Sequence, residues 1–422
     1  MSPISRRGFL AASALAAPAI AVAAQSTVAA DPAPRTTVLP GADQLAADGW
    51  QALAGRKVGV LSNPTGVLLN LTHIVDSMVA AGRKPLAAFG PEHGFRGTSQ
   101  AGGSEGNYTD PRTGIPVYDA YGATAEDLAG MYTKAGVDTV LFDIAGAGAR
   151  FYTYTWTMYL AMRAAVMTGA SFVVVDRPCP IGGQAYGPQL DPAYATLVGL
   201  KPIVQQSGMT AGELAKMFNE LFLPGDTGGK RLSSLEIVPV RGLRRDELFL
   251  DTNLPWVLPS PNMPTGDTAL LYPGTCLFEG TVMSEGRGTC RPFEMIGAPN
   301  IDWHWAETLN TMNLPGVEFR ENYYVPTFDK FVGQTCGGVQ AHITDPRRID
   351  AIRTAVAMIV TAKKLYPSIF GWTSNNYIDN LSGSNRLRTM VDAGASTEDI
   401  VGAWQAELAR FRTEREPFLL YR

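Results

Sequence analysis

Short, uninterrupted apolar runs recur between residues 57 and 240, and segments with helical periodicity lie between them. A strand that is apolar at every position is typical of a parallel sheet with helices on both faces, because neither face then meets water. We therefore predict an α/β fold built on a Rossmann-like parallel sheet. The predicted strands cover residues 57–62, 85–89, 137–143, 171–176 and 235–240, and the predicted helices cover residues 73–81, 154–168 and 210–222.

A proline-rich stretch, LPWVLPSPNMP at residues 254–264, interrupts this pattern. Proline lacks a backbone N–H and fixes φ, so its four prolines exclude a regular helix or a central strand. Because the chain is also longer than one hydrophobic core usually serves, we predict two domains. These are a Rossmann-like domain over residues 41–258 and a smaller α+β domain over residues 259–422. The second is predicted to contain a strand over residues 338–343 and helices over residues 349–365 and 397–412.

The first 24 residues predict an export signal. Ser5-Arg6-Arg7-Gly8-Phe9-Leu10 is a twin-arginine signature, and Ala21-Val22-Ala23 has the small-residue pattern of a cleavage site. We therefore expect a protein that is exported to the periplasm or the cell exterior. Residues 25–40, rich in Ala, Pro, Thr and Asp, are predicted to form a disordered linker.

The charge balance argues against two classes of partner. A net charge of −4 offers no general attraction to nucleic acid or to anionic lipid. No segment after the signal is apolar enough for a spanning helix, so we expect no stable membrane anchoring. An anionic ligand would have to be met by arginines placed locally. The sequence does not indicate the oligomeric state.

The motifs of the common cofactors are missing from the sequence. Gly146-Ala147-Gly148 follows a predicted strand, but Phe151 occupies the place of the third glycine of a dinucleotide fingerprint. Four scattered histidines without an H-E-x-x-H pattern argue against a zinc site. Around Ser104 the G-x-S-x-G pattern of a nucleophile elbow lacks both the preceding strand and the following helix. We therefore expect no cofactor and no metal.

The loop after the second predicted strand combines an acid, an imidazole and a guanidinium with three glycines. It is Phe89–Gly97, FGPEHGFRG, and it carries Glu92, His93 and Arg96. Open α/β sheets bind ligands beyond the carboxyl ends of their strands. Glu92 is therefore the first candidate for a catalytic group, and His93 and Arg96 are candidates for substrate binding.

The next two predicted strands also end in a charged residue. Asp143 opens a loop that contains Arg150 and Tyr152, and Asp176 is followed by Arg177. One aspartate in such a position is often a helix cap. Three charged strand ends on one edge of a sheet favour a site, so we take all five residues as candidates.

The second domain adds two glutamates, Glu279 and Glu285, which lie with Arg287 among glycines. This pattern is more typical of a ligand-binding loop than of a solvated hairpin. Asn262, in the proline-rich stretch, is a candidate for lining a cleft between the domains. Carboxylates and arginines without a cofactor motif suit glycoside hydrolysis, in which a carboxylic acid protonates the leaving oxygen and a second group serves the anomeric carbon or water.

Several long motifs together carry a family resemblance. From about residue 50 to the C terminus the chain resembles the bacterial exo-β-N-acetylmuramidases, long catalogued as a domain of unknown function. The motifs are LSNPTG at Leu61–Gly66, FGPEHGFRG at Phe89–Gly97, GARFYTY at Gly148–Tyr154, DRP and PIGG between Asp176 and Gly183, PSPNMP at Pro259–Pro264, YPGT at Tyr272–Thr275, FEGT at Phe278–Thr281, SEGRG at Ser284–Gly288, and FLLY at Phe418–Tyr421.

The resemblance implies release of N-acetylmuramic acid (MurNAc) from the non-reducing end of peptidoglycan fragments such as MurNAc-GlcNAc and muropeptides. It also implies an active site between the two domains, with Glu92 of the P-E-H-G motif as a catalytic residue. We take Asn63, in the first motif, as a binding residue. The second catalytic group stays open among Glu279, Glu285, Asp143, and Tyr118 or Tyr121.

The implied substrate makes two further demands on the site. Muramic acid carries a lactyl carboxylate, for which a bidentate arginine is the natural partner. Arg150, Arg177 and Arg287 are the candidates on the predicted site loops. The 2-acetamido group is able to attack the anomeric carbon itself, so a second protein nucleophile is not required.

Two cysteines mark departures from the family pattern. Cys179 follows Arg-Pro where the family usually has Asn, and Cys290 stands where it usually has a second Thr. Both lie on presumed site loops of different domains, so a Cys179–Cys290 disulfide is a hypothesis that the resemblance suggests. The rival functions are a non-catalytic exported protein that binds muropeptides or other sugars, and an esterase or deacetylase that would use Ser104 or a metal.

Overall fold

The computed structural model describes residues 37–422. The predicted signal at residues 1–24 and most of the predicted linker lie outside the described residues. The end of that linker is not disordered, because Val38 is buried in a small cluster with Val240 and Tyr421. Leu39 pairs with Arg241 in an isolated antiparallel bridge. The ordered part of the chain therefore includes residues 37–40.

The predicted parallel sheet is present within residues 37–422 and has seven strands. Its order is β3-β4-β2-β1-β5-β6-β9, and every neighbouring pair is parallel except the edge pair β3 and β4. Two further strands before the proline-rich stretch, β7 and β8, form a separate antiparallel pair. The bounds are β1 Val58–Ser62, β2 Ala87–Gly90, β3 Tyr108–Thr109, β4 Pro116–Asp119, β5 Thr139–Asp143, β6 Ser171–Val175, β7 Tyr186–Gln189, β8 Val204–Gln206 and β9 Leu235–Val238.

Helices cover both faces of this sheet, so the central strands are buried throughout. Every residue of β1, β2 and β5 is buried. Two of the helices begin at a threonine in a capping box, Thr124 and Thr210, whose side chain accepts the N–H of the third helical residue. The helices are α1 Gly41–Ala47, α2 Ile74–Ala80, α3 Ala125–Ala135, α4 Tyr154–Thr168, α5 Ala211–Met217 and α6 Leu223–Asp226.

After the proline-rich stretch, which is irregular as predicted, the chain forms a smaller α+β part. Its antiparallel sheet has the order β10-β12-β11, with β10 Met295–Ala298, β11 Val317–Tyr324 and β12 Cys336–Ile343. A Cβ at Gly338 of β12 would lie 2.1 Å from the carbonyl oxygen of Ile296, so this strand pairing requires glycine. The helices are α7 Gly266–Thr275, α8 His304–Thr311, α9 Ala351–Leu365, α10 Tyr377–Ser382, α11 Arg386–Asp392, α12 Thr397–Gly402 and α13 Gln405–Arg415.

The two sheets share one hydrophobic core. The largest cluster of buried apolar side chains joins Phe142 and Trp156 from the first part to Phe278, Trp305 and Phe411 from the second. The end of the chain returns to the first sheet, where Tyr421 is buried. No helix of residues 37–422 is long and apolar enough to cross a bilayer.

Several elements differ from the prediction. The helix predicted over residues 210–222 is α-helical only to Met217 and continues as a π-helical turn over Phe218–Phe222. The helix predicted over residues 397–412 is divided, because α12 ends at Gly402 and α13 begins at Gln405. The edge strand β3 has only two residues, and its neighbour β4 has four and starts at a proline, so neither carries much apolar pattern to detect.

Candidate active site

A strained turn after β2 presents Glu92. His93 has φ +70° and Gly94 has φ +92°, and Gly94 N–H donates to the Pro91 carbonyl at 2.9 Å. A Cβ on Gly94 would meet the Glu105 side chain at 2.2 Å, so glycine is required there. A non-glycine residue in the left-handed region costs energy and is typical of functional sites. The turn therefore holds Glu92 at the carboxyl end of β2, as the sequence predicts.

Both carboxylate oxygens of Glu92 are held by donors from other loops. Oε1 accepts the N–H of Gly102 at 2.8 Å, and Oε2 accepts the hydroxyl of Thr153 at 2.7 Å. The side chain is half-buried and lines a cavity. Each oxygen of a carboxylate can accept a second hydrogen bond. Glu92 is therefore oriented by the protein but keeps bonding capacity for a ligand.

The cavity beside Glu92 has a volume of about 550 Å³ and opens to solvent. Its walls come from both parts of the chain, before and after the proline-rich stretch. The first part contributes, among others, Glu92, His93, Tyr121, Tyr152 and Thr153, and the second contributes Tyr272, Glu279, Glu285, Arg287, Lys330 and Tyr377.

Two tyrosines of the GARFYTY motif form one wall. Tyr152 packs edge-to-face on Tyr154 and on Tyr272, with ring centroids 5.0 and 5.6 Å apart. Burial raises the pKa of Tyr152 and of Tyr154, so both phenols are protonated at neutral pH and serve as donors. Tyr154 donates to the Pro259 carbonyl at 2.5 Å, which fixes the proline-rich stretch beside this wall.

The opposite wall carries a network of two acids and two bases. Arg287 Nη2 donates to Glu279 at 2.6 Å, and its Nε lies 3.2 Å from Glu285. Lys330 Nζ donates to the other oxygen of Glu285 at 2.8 Å. Burial raises the pKa of Glu279, although the charge of Arg287 opposes the rise and that of Glu285 adds to it. Glu279 therefore holds a proton more readily than an ordinary glutamate.

His93 presents one ring nitrogen to the cavity. Its Nδ1 lies 3.0 Å from the Ser99 carbonyl oxygen. A carbonyl can only accept, so Nδ1 carries the proton, and Nε2 of the neutral ring is an acceptor. Tyr121, one of the open candidates, also lines the cavity, whereas Tyr118 stacks on Phe89 and does not.

Asp143 and Arg177 do not line this cavity, although the sequence predicts both as site residues. Asp143 is fully buried, and both of its oxygens accept from Arg177, with Oδ2 at 2.8 Å from Nη2. Arg177 also donates to the Val67 carbonyl at 2.9 Å. The two charges neutralise each other beneath the sheet edge, so this pair has a structural role rather than the predicted catalytic and binding roles.

Asp176 is likewise a structural residue in this fold. Its oxygens accept from the hydroxyls of Thr210 and Tyr421 at 2.6 and 2.5 Å, and from the backbone N–H of Gly212 at 2.8 Å and of Arg177 at 3.1 Å. Burial raises the pKa of Asp176 to about 6, against the hydrogen bonds that lower it. These contacts leave no oxygen open to a ligand, contrary to the predicted binding role.

Arg150 is held by backbone carbonyls rather than by a ligand. Its guanidinium donates to the carbonyls of Pro188 at 3.0 Å, Ile203 at 3.3 Å and Leu381 at 2.8 Å, and the side chain is almost fully buried. Burial lowers its pKa to about 9. The predicted substrate contact is therefore replaced by a role in joining the two parts of the chain.

Three further predicted binding residues also lie outside the cavity lining. Arg96 is paired with Asp76 at 3.0 Å and Asp110 at 2.8 Å, which ties the Glu92 loop to its neighbours. Asn63 is buried and accepts from Thr65 through its side-chain oxygen. Asn262 is buried in the proline-rich stretch. Arg96 therefore supports the loop that bears Glu92, and neither asparagine contributes to the cavity wall.

The proposed disulfide is absent. All four cysteines fall within residues 37–422, and each is a free thiol. Cys179 packs toward Gly148 and Ile181, and burial raises its pKa to about 11, whereas Cys290 is exposed on the loop after Gly288. The hypothesis is wrong because the two loops present their thiols to different surroundings.

The structure adds residues to the site that the sequence did not indicate. Thr153 lies beside Tyr152 within the GARFYTY motif, so the sequence offered a reason to include it among the site residues. Lys330 and Tyr377 lie in segments without a recognisable motif, and only the fold brings them to the cavity. Within residues 37–422 no three His, Cys, Asp or Glu side chains are grouped to hold a metal ion.

A glutamate held at the wall of an open cavity, with further carboxyl groups lining the same cavity, is the equipment that glycoside hydrolysis uses. Family models described as the N-terminal and C-terminal regions of exo-β-N-acetylmuramidase NamZ match residues 58–267 and 270–421. The chain belongs to this exo-β-N-acetylmuramidase family.

Individual relatives agree with this assignment. The chain is 43% identical over 392 residues to the peptidoglycan β-N-acetylmuramidase NamZ of Bacillus subtilis, covering 92% of each chain. Two crystal structures of DUF1343 family proteins from Bacteroides fragilis have the same fold, with TM-scores of 0.83 and 0.73 at 31% and 27% identity. The match covers 92% of this chain in both cases, and 100% and 99% of those chains.

Proposed function

We propose that this protein is an exo-acting glycoside hydrolase that releases N-acetylmuramic acid from the non-reducing end of peptidoglycan fragments. The observation that carries the proposal is Glu92, which the Gly102 amide and the Thr153 hydroxyl hold at the wall of a sugar-sized, open cavity. Membership of the exo-β-N-acetylmuramidase family and the B. subtilis relative support the choice of muramyl substrate.

In this proposal Glu92 is the proton donor to the leaving oxygen. General acid catalysis by a positioned carboxyl group contributes about 10²- to 10⁴-fold to a rate. The two hydrogen bonds to Glu92 fix the orientation of its carboxyl group before the substrate arrives, which lowers the entropic cost of aiming its acidic proton at the leaving oxygen. His93 Nε2 then offers an acceptor to the sugar beside it, and the Tyr152 side chain forms part of the cavity wall.

The second carboxyl group in this proposal is Glu279. Glu279 lines the same cavity as Glu92, and Tyr377 lines it too; burial, and after it the charge of Glu279, raise the pKa of this phenol. Glu285 is less suited, since Arg287 and Lys330 bind both of its oxygens. A carboxylate across the cavity from the acid stabilises the positive charge that develops at the anomeric carbon.

The place of the reaction is a separate proposal. The twin-arginine signature at residues 5–10 and the cleavage pattern at residues 21–23 support an exported protein that meets wall fragments in the periplasm or outside the cell. The observation that tests it is cell fractionation of the native protein. Retention of the full-length chain in the cytoplasm would contradict it.

The test of the activity is incubation of the purified protein with MurNAc-GlcNAc, with the released sugars identified by mass spectrometry. We expect free MurNAc from the wild type, and a turnover lower by at least about 10²-fold in Glu92→Gln, which keeps the shape but has no acidic proton. Glu318→Gln, on an exposed position of β11, makes the same charge change away from the cavity and is the control.

The rival function is a protein that binds sugars without cleaving them, and the same experiment separates the two. Tight binding of MurNAc-GlcNAc without any release of MurNAc would favour the binding protein. Equal turnover in the wild type and Glu92→Gln would move the acid role to another carboxyl group. The esterase alternative lacks support, because Ser104 donates to Asp119 at 2.5 Å and does not line the cavity.

A further inference from the structure

The cavity has few cations able to meet the carboxylate of a muramyl group. Of the three arginines that the sequence predicts for this role, Arg150 is buried among backbone carbonyls and Arg177 is paired with Asp143. Among residues 37–422 the arginine and lysine side chains that line the cavity are Arg287 and Lys330. The choice of anion partner therefore falls between these two.

Lys330 has no donor left for a ligand. Its ammonium group carries three protons. It contacts the carbonyl oxygens of Phe278 at 3.0 Å and Met283 at 2.9 Å, and the Glu285 carboxylate at 2.8 Å. These three acceptors use its full capacity, so its role is to hold the loop that bears it and to neutralise Glu285.

Arg287 keeps one edge of its guanidinium open. Nη2 is bonded to Glu279 and Nε faces Glu285, but Nη1 has no hydrogen-bond partner among residues 37–422. The side chain is 15% exposed, and that exposure is to the cavity that it lines. Its Cζ lies 5.1 Å from the centroid of the Phe293 ring, which supports one face of the planar group.

We propose that Arg287, through Nη1, binds the carboxylate of the 3-O-lactyl group of the substrate and so selects muramyl over glucosaminyl residues. This inference rests on the proposed function, since it names the part of that substrate which this residue recognises. Arginine suits the task because its planar group can bind Glu279 on one side and the ligand on another. A lysine has no such planar fork of fixed N–H directions.

The surrounding charges set how strongly the carboxylate is held. Glu279 and Glu285 are balanced by Arg287 and Lys330, so these four groups are neutral in sum before a ligand binds. Asp329, 40% exposed and 3.8 Å from Arg287 Nε, adds a negative charge that water screens.

The experiment compares two ligands that differ only in the charge of the lactyl group, MurNAc and its methyl ester, by titration calorimetry. A charge-assisted hydrogen bond of about 1.5–3 kcal/mol corresponds to roughly 10- to 100-fold in affinity. We expect Arg287→Gln to weaken MurNAc binding by at least about tenfold, and ester binding by less than about twofold. Arg287→Lys should fall between the wild type and Arg287→Gln.

Two further variants show whether the effect of Arg287→Gln is only structural. Arg287→Gln combined with Glu279→Gln removes the acid that the single change leaves unpaired, and it should still discriminate poorly between acid and ester. Arg320→Gln, on an exposed position of β11, makes the same charge change and should bind both ligands as the wild type does. An equal loss of affinity for acid and ester in the Arg287 variants would overturn the inference.

Kinetics distinguish this inference from the proposed function. If the wild type binds MurNAc through Arg287 but releases no sugar from MurNAc-GlcNAc, the hydrolase proposal fails and the binding inference stands. If the wild type cleaves the disaccharide and the Arg287→Gln variant keeps its preference for the free acid over the ester, the hydrolase proposal stands and the role of Arg287 fails.

Discussion

The charged residues predicted for the site separate into two regions that behave in opposite ways. Behind β5 and β6, Asp143 and Asp176 are fully buried with both carboxylate oxygens hydrogen-bonded, and Arg177 is paired with Asp143. On the cavity, Glu92 and Arg287 are held by the protein but keep open bonding capacity. All were selected by the same reasoning, from their place in glycine-rich loops. A charge at a strand end is therefore a weak sign of a site.

The difference lies in what covers each strand end. Over β6, the start of α5 supplies Thr210 and Gly212, and the end of the chain supplies Tyr421, and together these fill the lone pairs of Asp176. At the end of β2, the carboxylate of Glu92 accepts hydrogen bonds from one amide and one hydroxyl, and the cavity lies beside it. Unfilled hydrogen-bonding capacity beside open volume is the better sign of function.

Among the changes that test this comparison, Asp143→Asn is expected to have the largest effect, and the effect is on stability. The change leaves the Arg177 charge buried without its partner, which typically costs about 3–5 kcal/mol of unfolding free energy. Turnover of the folded protein should change little, because Asp143 does not line the cavity. Denaturant unfolding and steady-state kinetics check the two parts.

A double variant provides the control for this buried pair. Asp143→Asn combined with Arg177→Gln removes both charges, and it should recover part of the lost stability. If the single variant instead lost much of its turnover and kept its stability, Asp143 would act in catalysis. The division into a buried region and a cavity region would then be wrong.

Asp176→Asn tests the second buried acid through pH. The folded protein holds the proton of Asp176 up to a pKa of about 6, above the usual 3.8, so its contribution to stability is full below pH 4 and is lost as pH rises through 6. The difference amounts to about 3 kcal/mol. The unfolding free energy of Asp176→Asn relative to the wild type should therefore improve by about that amount between pH 4 and pH 7. Parallel pH profiles of the two proteins would show that Asp176 stays ionised.

Thr153→Val makes the smallest expected change, and it acts on the cavity side. It removes the hydroxyl that donates to Glu92 Oε2 while keeping a β-branched side chain. A hydrogen bond of about 1 kcal/mol predicts a fall in turnover of less than tenfold, with unfolding free energy nearly unchanged. Thr157→Val, one turn later on α4 and outside the cavity lining, is the matched control for which turnover should not change. Equal losses in the two variants would remove Thr153 from the catalytic arrangement.

Most of the central sheet could be predicted because its signal is local. The apolar runs at β1, β2, β5, β6 and β9 lie within a few residues of the predicted strands. Of the second sheet only β12 was predicted, as a strand over residues 338–343. The short strands β3, β4, β7 and β8, and β10 and β11 of the second sheet, were missed, since their pattern depends on pairing partners rather than on their own composition. The π-helical turn after α5 has no signature in the sequence pattern that defined the helix.

The candidate site could be predicted only in its shortest-range parts. Glu92 and His93 lie in one turn, and Glu279, Glu285 and Arg287 lie within nine residues, so each group stays together in any fold that keeps its loop. The sequence left Lys330 and Tyr377 unassigned, because nothing near them carries a chemical pattern. The sequence also predicts that Arg150 binds the substrate. In the fold, Arg150 donates instead to the carbonyl of Leu381, 231 residues away.

The sequence by itself determined the α/β class, the exo-β-N-acetylmuramidase family and the loop that bears the candidate acid, because each is written in contiguous residues. The tertiary structure alone decided which charges face the cavity and which are neutralised inside the protein. The physical reason is that the hydrogen-bonding capacity of a charged group is filled by partners distant in sequence. Asp176, for example, accepts from the hydroxyl of Tyr421, 245 residues further on. Only the folded chain brings such partners within hydrogen-bonding distance.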